Sequence, residues 1–194
     1  RGFLHSLLLR ATAFGFFLLF LVAWTFLVHQ FSPGQIVEKL GIGNGYIVAF
    51  IAAFLAGIST FTSAPYALVI VTLGAGGLSP FIIGLVSAFG LFLGDSTSYF
   101  LGYYGHHVVP NGLQKELQKI HAWLMARKRA WTIPIFIFLY GAFFPLSNDF
   151  VVISFGLARY PFWRVMAPLA LGSIIFNMML AYVGKYGVGY FSSF

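Results

Sequence analysis

Between Lys39 and Lys115 the chain carries a single charged side chain, Asp95, in a stretch that is otherwise apolar or uncharged. A second carboxylate, Asp149, stands equally alone between Arg129 and Arg159. With 60% hydrophobic residues and a mean hydropathy of +0.91, stretches of this kind have only a bilayer in which to bury. Hydrocarbon offers the backbone no water, so continuous apolar runs must satisfy their N–H and C=O groups internally, as helices. The expected fold is an all-α polytopic membrane protein. A carboxylate at membrane depth is costly and marks a place where something polar binds or passes. Transport or lipid handling is therefore the expected work, not soluble chemistry.

Only 8% of the 194 residues are charged, so no segment is polar enough to cover a second core, and one compact membrane domain is expected. The absence of cysteine excludes disulfides, iron–sulfur clusters and thiolate metal sites. The net charge of +7 sits at the ends of apolar segments. Cytoplasmic topology and anionic lipid account for it there, and no nucleic-acid partner is expected. His106, His107 and His121 lack metal-ligand spacing with any carboxylate and read as loop histidines. There is no Ser–His pair at a suitable depth and no Walker or dinucleotide loop, so neither an enzyme nor a bound cofactor or metal is expected.

The first apolar run, Ala11 to Phe31, is long enough to span and lacks a small-x-small cleavage site, so it reads as a retained N-terminal transmembrane helix. Ser32-Pro33-Gly34 stops it, and Gln35 to Leu40 is expected as a short interfacial helix. Four apolar segments follow, at Tyr46–Leu73, Phe81–Tyr104, Trp131–Phe155 and Phe162–Val183. The second and fourth read as ordinary spans. Thr62-Ser63-Ala64-Pro65 breaks the first, and Pro145-Leu146-Ser147-Asn148-Asp149 breaks the third. Proline with capping side chains at mid-bilayer is what the tip of a re-entrant helical hairpin requires. Arms of roughly 10–14 residues, about 15–21 Å at ~1.5 Å per residue, reach only about half way through a ~30 Å core.

The chain then divides into residues 1–45 (N-terminal helix and external connector), 46–105 (hairpin plus span), 106–130 (a cytoplasmic helix) and 131–194 (a second hairpin plus span). In the third part, Leu113, Leu117, Ile120, Leu124 and Met125 form an apolar stripe with Lys115, Lys119, Arg127 and Arg129 elsewhere, the pattern of an amphipathic surface helix.

Charge distribution discriminates between topologies. With two re-entrant hairpins and the N-terminus inside, nine basic residues fall inside and only Lys39 and Lys185 outside. If every segment crosses, as in a plain five-span bundle, the best orientation puts seven inside and four outside. The positive-inside rule favours the hairpins. A shift of 82 residues also aligns Gly74 with Gly156, Gly90 with Gly172, Gly102 with Gly184 and Asp95 with Asn177. Each unit crosses an odd number of times, so two in tandem form an inverted repeat, a transporter architecture.

Asp95 has two readings: a protonatable carboxylate that couples proton movement to substrate, or a structural cap hydrogen-bonded to hydroxyls or free N–H groups. Asp149, beside Asn148 and Ser147, either binds a cation or proton or caps the following arm. Capping is the simpler role for Ser147, Asn148, Thr62 and Ser63, with Pro65 in the first helical turn and Pro145 at the other tip. Arg159 and Arg164, at inner headgroup level, could grip a lipid phosphate or simply anchor topology. Gly90, Gly94, Gly102, Gly156, Gly172 and Gly184 are expected to permit close helix packing.

Gly90-x-x-x-Gly94-Asp95-x-x-x-Tyr99-x-x-Gly102-x-x-Gly105 resembles the G-x-x-x-G-D-x-x-x-Y-x-x-G segment of DedA proteins, also called the SNARE-associated or VTT-domain family. Phe144-Pro145, the run from Gly156 through Arg159 to Arg164, and Gly172 are similar to that family's second hairpin and its exit. The likeness covers roughly residues 47–187. It implies opposed re-entrant hairpins and lipid movement between leaflets: polyprenyl-phosphate recycling driven by protons or sodium in a prokaryotic inner membrane, or phospholipid scrambling. By position, Asp95 would be the family's acidic residue and Arg159 its arginine after the second hairpin. The chain departs from the family at Pro65-Tyr66-Ala67, where members carry an acid, and around Pro145, where they carry arginines, so it resembles a divergent member. The other classes are a non-transporting scaffold that organises lipids or partners, and an exporter of a small amphipathic molecule.

Overall fold

The computed structural model describes residues 15, 18–20, 22–27, 30–59, 63–105, 111–126, 131–144 and 148–191. Among them every regular element is an α-helix: α1 (Leu18–Leu27), α2 (Pro33–Leu40), α3 (Ile42–Ile58), α4 (Ser63–Ala75), α5 (Pro80–Gly105), α6 (Asn111–Met125), α7 (Thr132–Phe143), α8 (Asp149–Leu157) and α9 (Phe162–Phe191). Two of these, α5 and the Phe162–Gly187 part of α9, are long and apolar enough to cross a membrane. A third span exists if α2 and α3 are counted together across their 102° bend. Large apolar side chains such as Phe89, Leu101, Phe136, Phe150 and Leu171 stand exposed on the outer faces, consistent with helices apolar enough to cross a membrane.

The start of α2 follows from its sequence. Ser32 Oγ accepts from Gln35 N at 3.3 Å while Gln35 Oε1 accepts from Ser32 N at 3.0 Å, a reciprocal cap, with Pro33 at the first helical position. Gly41 turns the corner into α3 at φ +79°, a conformation that a side chain would strain. As a result α3 begins at Ile42, four residues ahead of the expected apolar segment.

The expected interruptions are present. α3 stops at Ser59, in extended conformation, and α4 resumes at Ser63; α7 stops at Phe144, also extended, and α8 resumes at Asp149. Thr62, Pro145, Leu146, Ser147 and the Ser63 side chain lie outside the described residues, as do Arg1, Arg10, His106 and His107; Pro65 is in the first turn of α4. α3 has 17 residues and α8 only 9, so these arms are longer and shorter than the expected length. At ~1.5 Å per residue they measure about 26 and 14 Å, so neither crosses a ~30 Å core unaided.

Each long helix serves as a rail for two short ones. α3 runs beside the first half of α5: a Cβ at Gly90 or Gly94 would fall on the carbonyl oxygens of Phe50 or Phe54, and one at Gly57 would lie 2.8 Å from Asp95 N. α8 takes over where α3 ends, with Gly102 against Ile153 and Gly156 against Tyr99. On α9, α7 lies along the first half, where Gly172 meets the Phe138 carbonyl. α4 lies along the second half, where Gly184 meets the Val71 carbonyl and Gly74 that of Ala181. Glycine at each contact lets backbones approach to a distance that dispersion rewards, the main packing force between helices in lipid.

α5 and α9 run antiparallel. Gly84 faces Ile174 and Met178, whereas Phe92 and Phe100 reach Phe162, with ring centroids 6.2 and 5.4 Å apart. The end of α5, the start of α7, the end of α8 and the start of α9 therefore share one end of the protein, where α6 also docks.

Candidate functional site: a buried polar cluster between α5 and α8

On α5, Leu91 packs into one apolar cluster and Tyr99 into another. Between them Asp95 and Ser98, one turn apart, face the junction of α3 and α8. Both Asp95 and Asp149 are buried, at 2% and 6% exposure, so the two isolated carboxylates of the sequence are withdrawn from lipid and water alike.

Asn148 Nδ2 donates to Asp95 Oδ2 at 2.9 Å. Asn148 makes no side-chain bond to the start of α8, so the capping role expected for it is not what its amide does. Ser98 Oγ lies 3.0 Å from Asp149 Oδ1 and 3.2 Å from the Gly57 carbonyl oxygen. One hydroxyl hydrogen thus serves either the end of α3 or the first residue of α8. Asp149 opens α8, where the helix dipole favours negative charge. The two carboxylates are close enough for their charges to interact, and Tyr66 of α4 and Tyr140 of α7 lie within electrostatic reach of Asp95. By hydrogen bonds the cluster joins α5 to the end of α3 and the start of α8, with Tyr66 of α4 and Tyr140 of α7 near it.

Among the described residues, Asp95 Oδ1, the Tyr66 hydroxyl and both amide atoms of Asn177 are buried without a hydrogen-bond partner. Such atoms are exceptional in proteins and point to a proton, a water or a polar ligand group. The hydroxyls flanking Asp95 divide by role. Ser96 and Thr97 donate to the Phe92 and Gly94 carbonyls of their own helix, at 2.6 and 2.7 Å, and only Ser98 reaches across.

The arginines are placed elsewhere. Arg159 lies two residues beyond the far end of α8, whose nine residues from Asp149 span about 14 Å at ~1.5 Å per residue. It holds a left-handed conformation at φ 52°, with its guanidinium 5.3 Å from the Tyr103 ring. The Tyr99 hydroxyl donates to the Tyr160 carbonyl, and His121 Nδ1 donates to Ala158 O at 2.8 Å, so α5 and α6 both hold this turn. His121 is thus a helical residue with a structural bond, not a loop histidine. Arg164 is exposed in the first turn of α9. Of the five residues expected at the site, Asp95, Asn148 and Asp149 come together and the two arginines stay at the end of the protein. No group of three potential metal ligands occurs among the described residues.

Sequence reasoning did not single out Ser98, Tyr66 or Tyr140. The i, i+3 spacing of Asp95 and Ser98 was available as a signal for the first; the tyrosines carry none, since their positions depend on how α4 and α7 are folded back. No family model, no curated protein and no solved structure matches this chain.

Proposed function

We propose that this protein is a membrane transporter that moves a lipid between leaflets, with Asp95 and Asp149 carrying the coupling proton or sodium ion. The observation that carries the proposal is the contact between Asn148 and Asp95: two carboxylates from separate helices meet in one buried cluster beside an unpartnered Asp95 oxygen. A structural pair alone would be better made of neutral groups, because burying two like charges is expensive. A group that is alternately charged and neutral justifies that cost, and its movement through the cycle couples ion to substrate.

In this reading α3–α4 and α7–α8 are re-entrant hairpins, and the two halves of the chain form an inverted repeat of the DedA type. Support comes from the contacts themselves. Gly102 on Ile153 and Gly184 on Val71 are the same contact displaced by 82 positions, as are Gly156 on Tyr99 and Gly74 on Ala181. Arms of 12 and 9 residues in α7 and α8 suit hairpins that turn at mid-membrane. The substrate is a polyprenyl phosphate or a phospholipid, whose headgroup would meet Arg159 and Arg164 before the cluster.

The test is leaflet-to-leaflet movement of fluorescent phospholipid and of polyprenyl phosphate in proteoliposomes, with and without a proton gradient. Movement above the protein-free rate by wild type, lost in Asp95→Asn/Asp149→Asn, is expected. A double variant as fast as wild type would remove the carboxylates from the mechanism. No movement of either lipid by the wild type would favour a scaffold.

A further inference from the structure

The apolar stripe of α6 is divided in space. Leu117, His121 and Leu124, spaced i, i+4 and i+7, form the edge turned to the protein. Leu124 is buried in the cluster that contains Ile133, Ala158 and Val165, and His121 bonds the Ala158 carbonyl. Ile120 and Trp123, neighbours at i and i+3 on one flank of that edge, are left exposed at 47% and 54%. They cannot rotate inward without breaking the His121 bond and lifting Leu124 from its cluster. Tertiary contacts therefore hold an apolar face outward, which is costly unless something apolar covers it.

Charge indicates what covers it. The sequence from 111 to 130 holds Lys115, Lys119, Arg127, Lys128 and Arg129 against Glu116 alone. The same end of the protein exposes Trp131 at the start of α7, and Trp163 beside Arg164 at the start of α9. Exposed tryptophan next to basic side chains is the composition of the headgroup layer. An apolar face in a segment whose sequence is rich in lysine and arginine suits a leaflet rich in anionic lipid.

We propose that α6 docks on an anionic lipid surface, with Ile120 and Trp123 entering the boundary between headgroups and acyl chains and the basic residues pairing with headgroup charges. The proposal rests on the membrane-embedded reading of the chain and stands whether or not a lipid is transported.

The chain has no cysteine, so Ile120→Cys gives one attachment point for an environment-sensitive fluorophore. The labelled protein is compared in nanodiscs of phosphatidylcholine alone and of phosphatidylcholine mixed with phosphatidylglycerol. In the anionic discs the docked-to-undocked ratio, read from emission and iodide quenching, should be at least about tenfold higher, and high salt should abolish the difference. Adding Lys119→Gln, Arg127→Gln, Lys128→Gln and Arg129→Gln should abolish it too. A probe equally shielded in both discs, or equally exposed in both, would overturn the proposal. So would efficient disulfide-linked dimers of the unlabelled cysteine variant, which would assign this face to a second copy of the chain. Each readout is independent of transport, so failure here is distinguishable from failure of the transporter reading.

Discussion

The side-chain amide of Asn148, one residue before α8, is bonded to the carboxylate of Asp95 in the interior of α5, 53 positions earlier in the chain. This bond joins the second broken segment to the long helix that also carries the end of the first. Removing it with Asn148→Ala leaves a buried carboxylate oxygen without its donor, at a cost of about 1–3 kcal/mol. Asp95→Asn instead keeps a polar group of the same shape, with one oxygen still able to accept from Asn148, and removes the charge. Thermal unfolding in detergent should rank Asn148→Ala as the less stable variant, while lipid movement should be lost in Asp95→Asn. Equal transport by Asp95→Asn and wild type would make the contact structural.

Ser98 shares one hydroxyl hydrogen between Gly57 O and Asp149 Oδ1. Ser98→Ala should cost about 1–3 kcal/mol, because both acceptors are buried. Ser96→Ala, which loses only a bond to its own helix, should cost less than about 0.5 kcal/mol. Parallel denaturation curves of the two variants decide the matter, and equal losses would argue against a special role for Ser98.

Close backbone approach predicts a sharp difference among glycines. A side chain at Gly102 or Gly184 would fall on the carbonyl of Ile153 or Val71, whereas a Cβ at Gly43 meets nothing within 4 Å. Gly102→Leu and Gly184→Leu should each destabilise by about 3 kcal/mol or more through forced separation of helices. Gly43→Leu should fold normally. Monodispersity and thermal midpoint of the three purified variants provide the measurement.

Tyr99 donates its hydroxyl to Tyr160 O and so helps to hold Arg159 in its left-handed turn. Tyr99→Phe should cost about 1 kcal/mol and loosen the turn without touching the carboxylate cluster. Protease sensitivity after Arg159 should rise while the thermal midpoint changes little. Unchanged cleavage would show that His121 alone suffices to fix the turn.

Much of the helix pattern could be read from the residues, because it is set by local physics. Phe81–Tyr104 was expected as a span, and α5 occupies Pro80–Gly105. Ser32 and Pro33 announced the start of α2 through a cap that spans only three residues. The interruptions at Ser59 and Phe144 lie beside the predicted Pro-containing breaks. The early start of α3 was missed because it hangs on a positive φ at Gly41, and nothing local distinguishes that glycine from those such as Gly90 and Gly102 that serve packing.

What the sequence determined on its own was the helical class, the presence of helices apolar enough to cross a membrane, and the two residues whose burial demands an explanation. All three follow from desolvation: apolar runs avoid water, a backbone withdrawn from water is satisfied in helices, and a buried carboxylate needs partners. Which partners those are was decided by tertiary structure alone. Asp95 meets Asn148 because α8 takes up the half of α5 that α3 leaves bare, and Arg159 is kept from Asp149 because α8 lies between them. The stripe of α6 divides into an inner and an outer edge because Leu124 and His121 find their places against the turn after α8. Local rules are blind to contacts of this kind, since they join residues tens of positions apart through packing that only the assembled helices define.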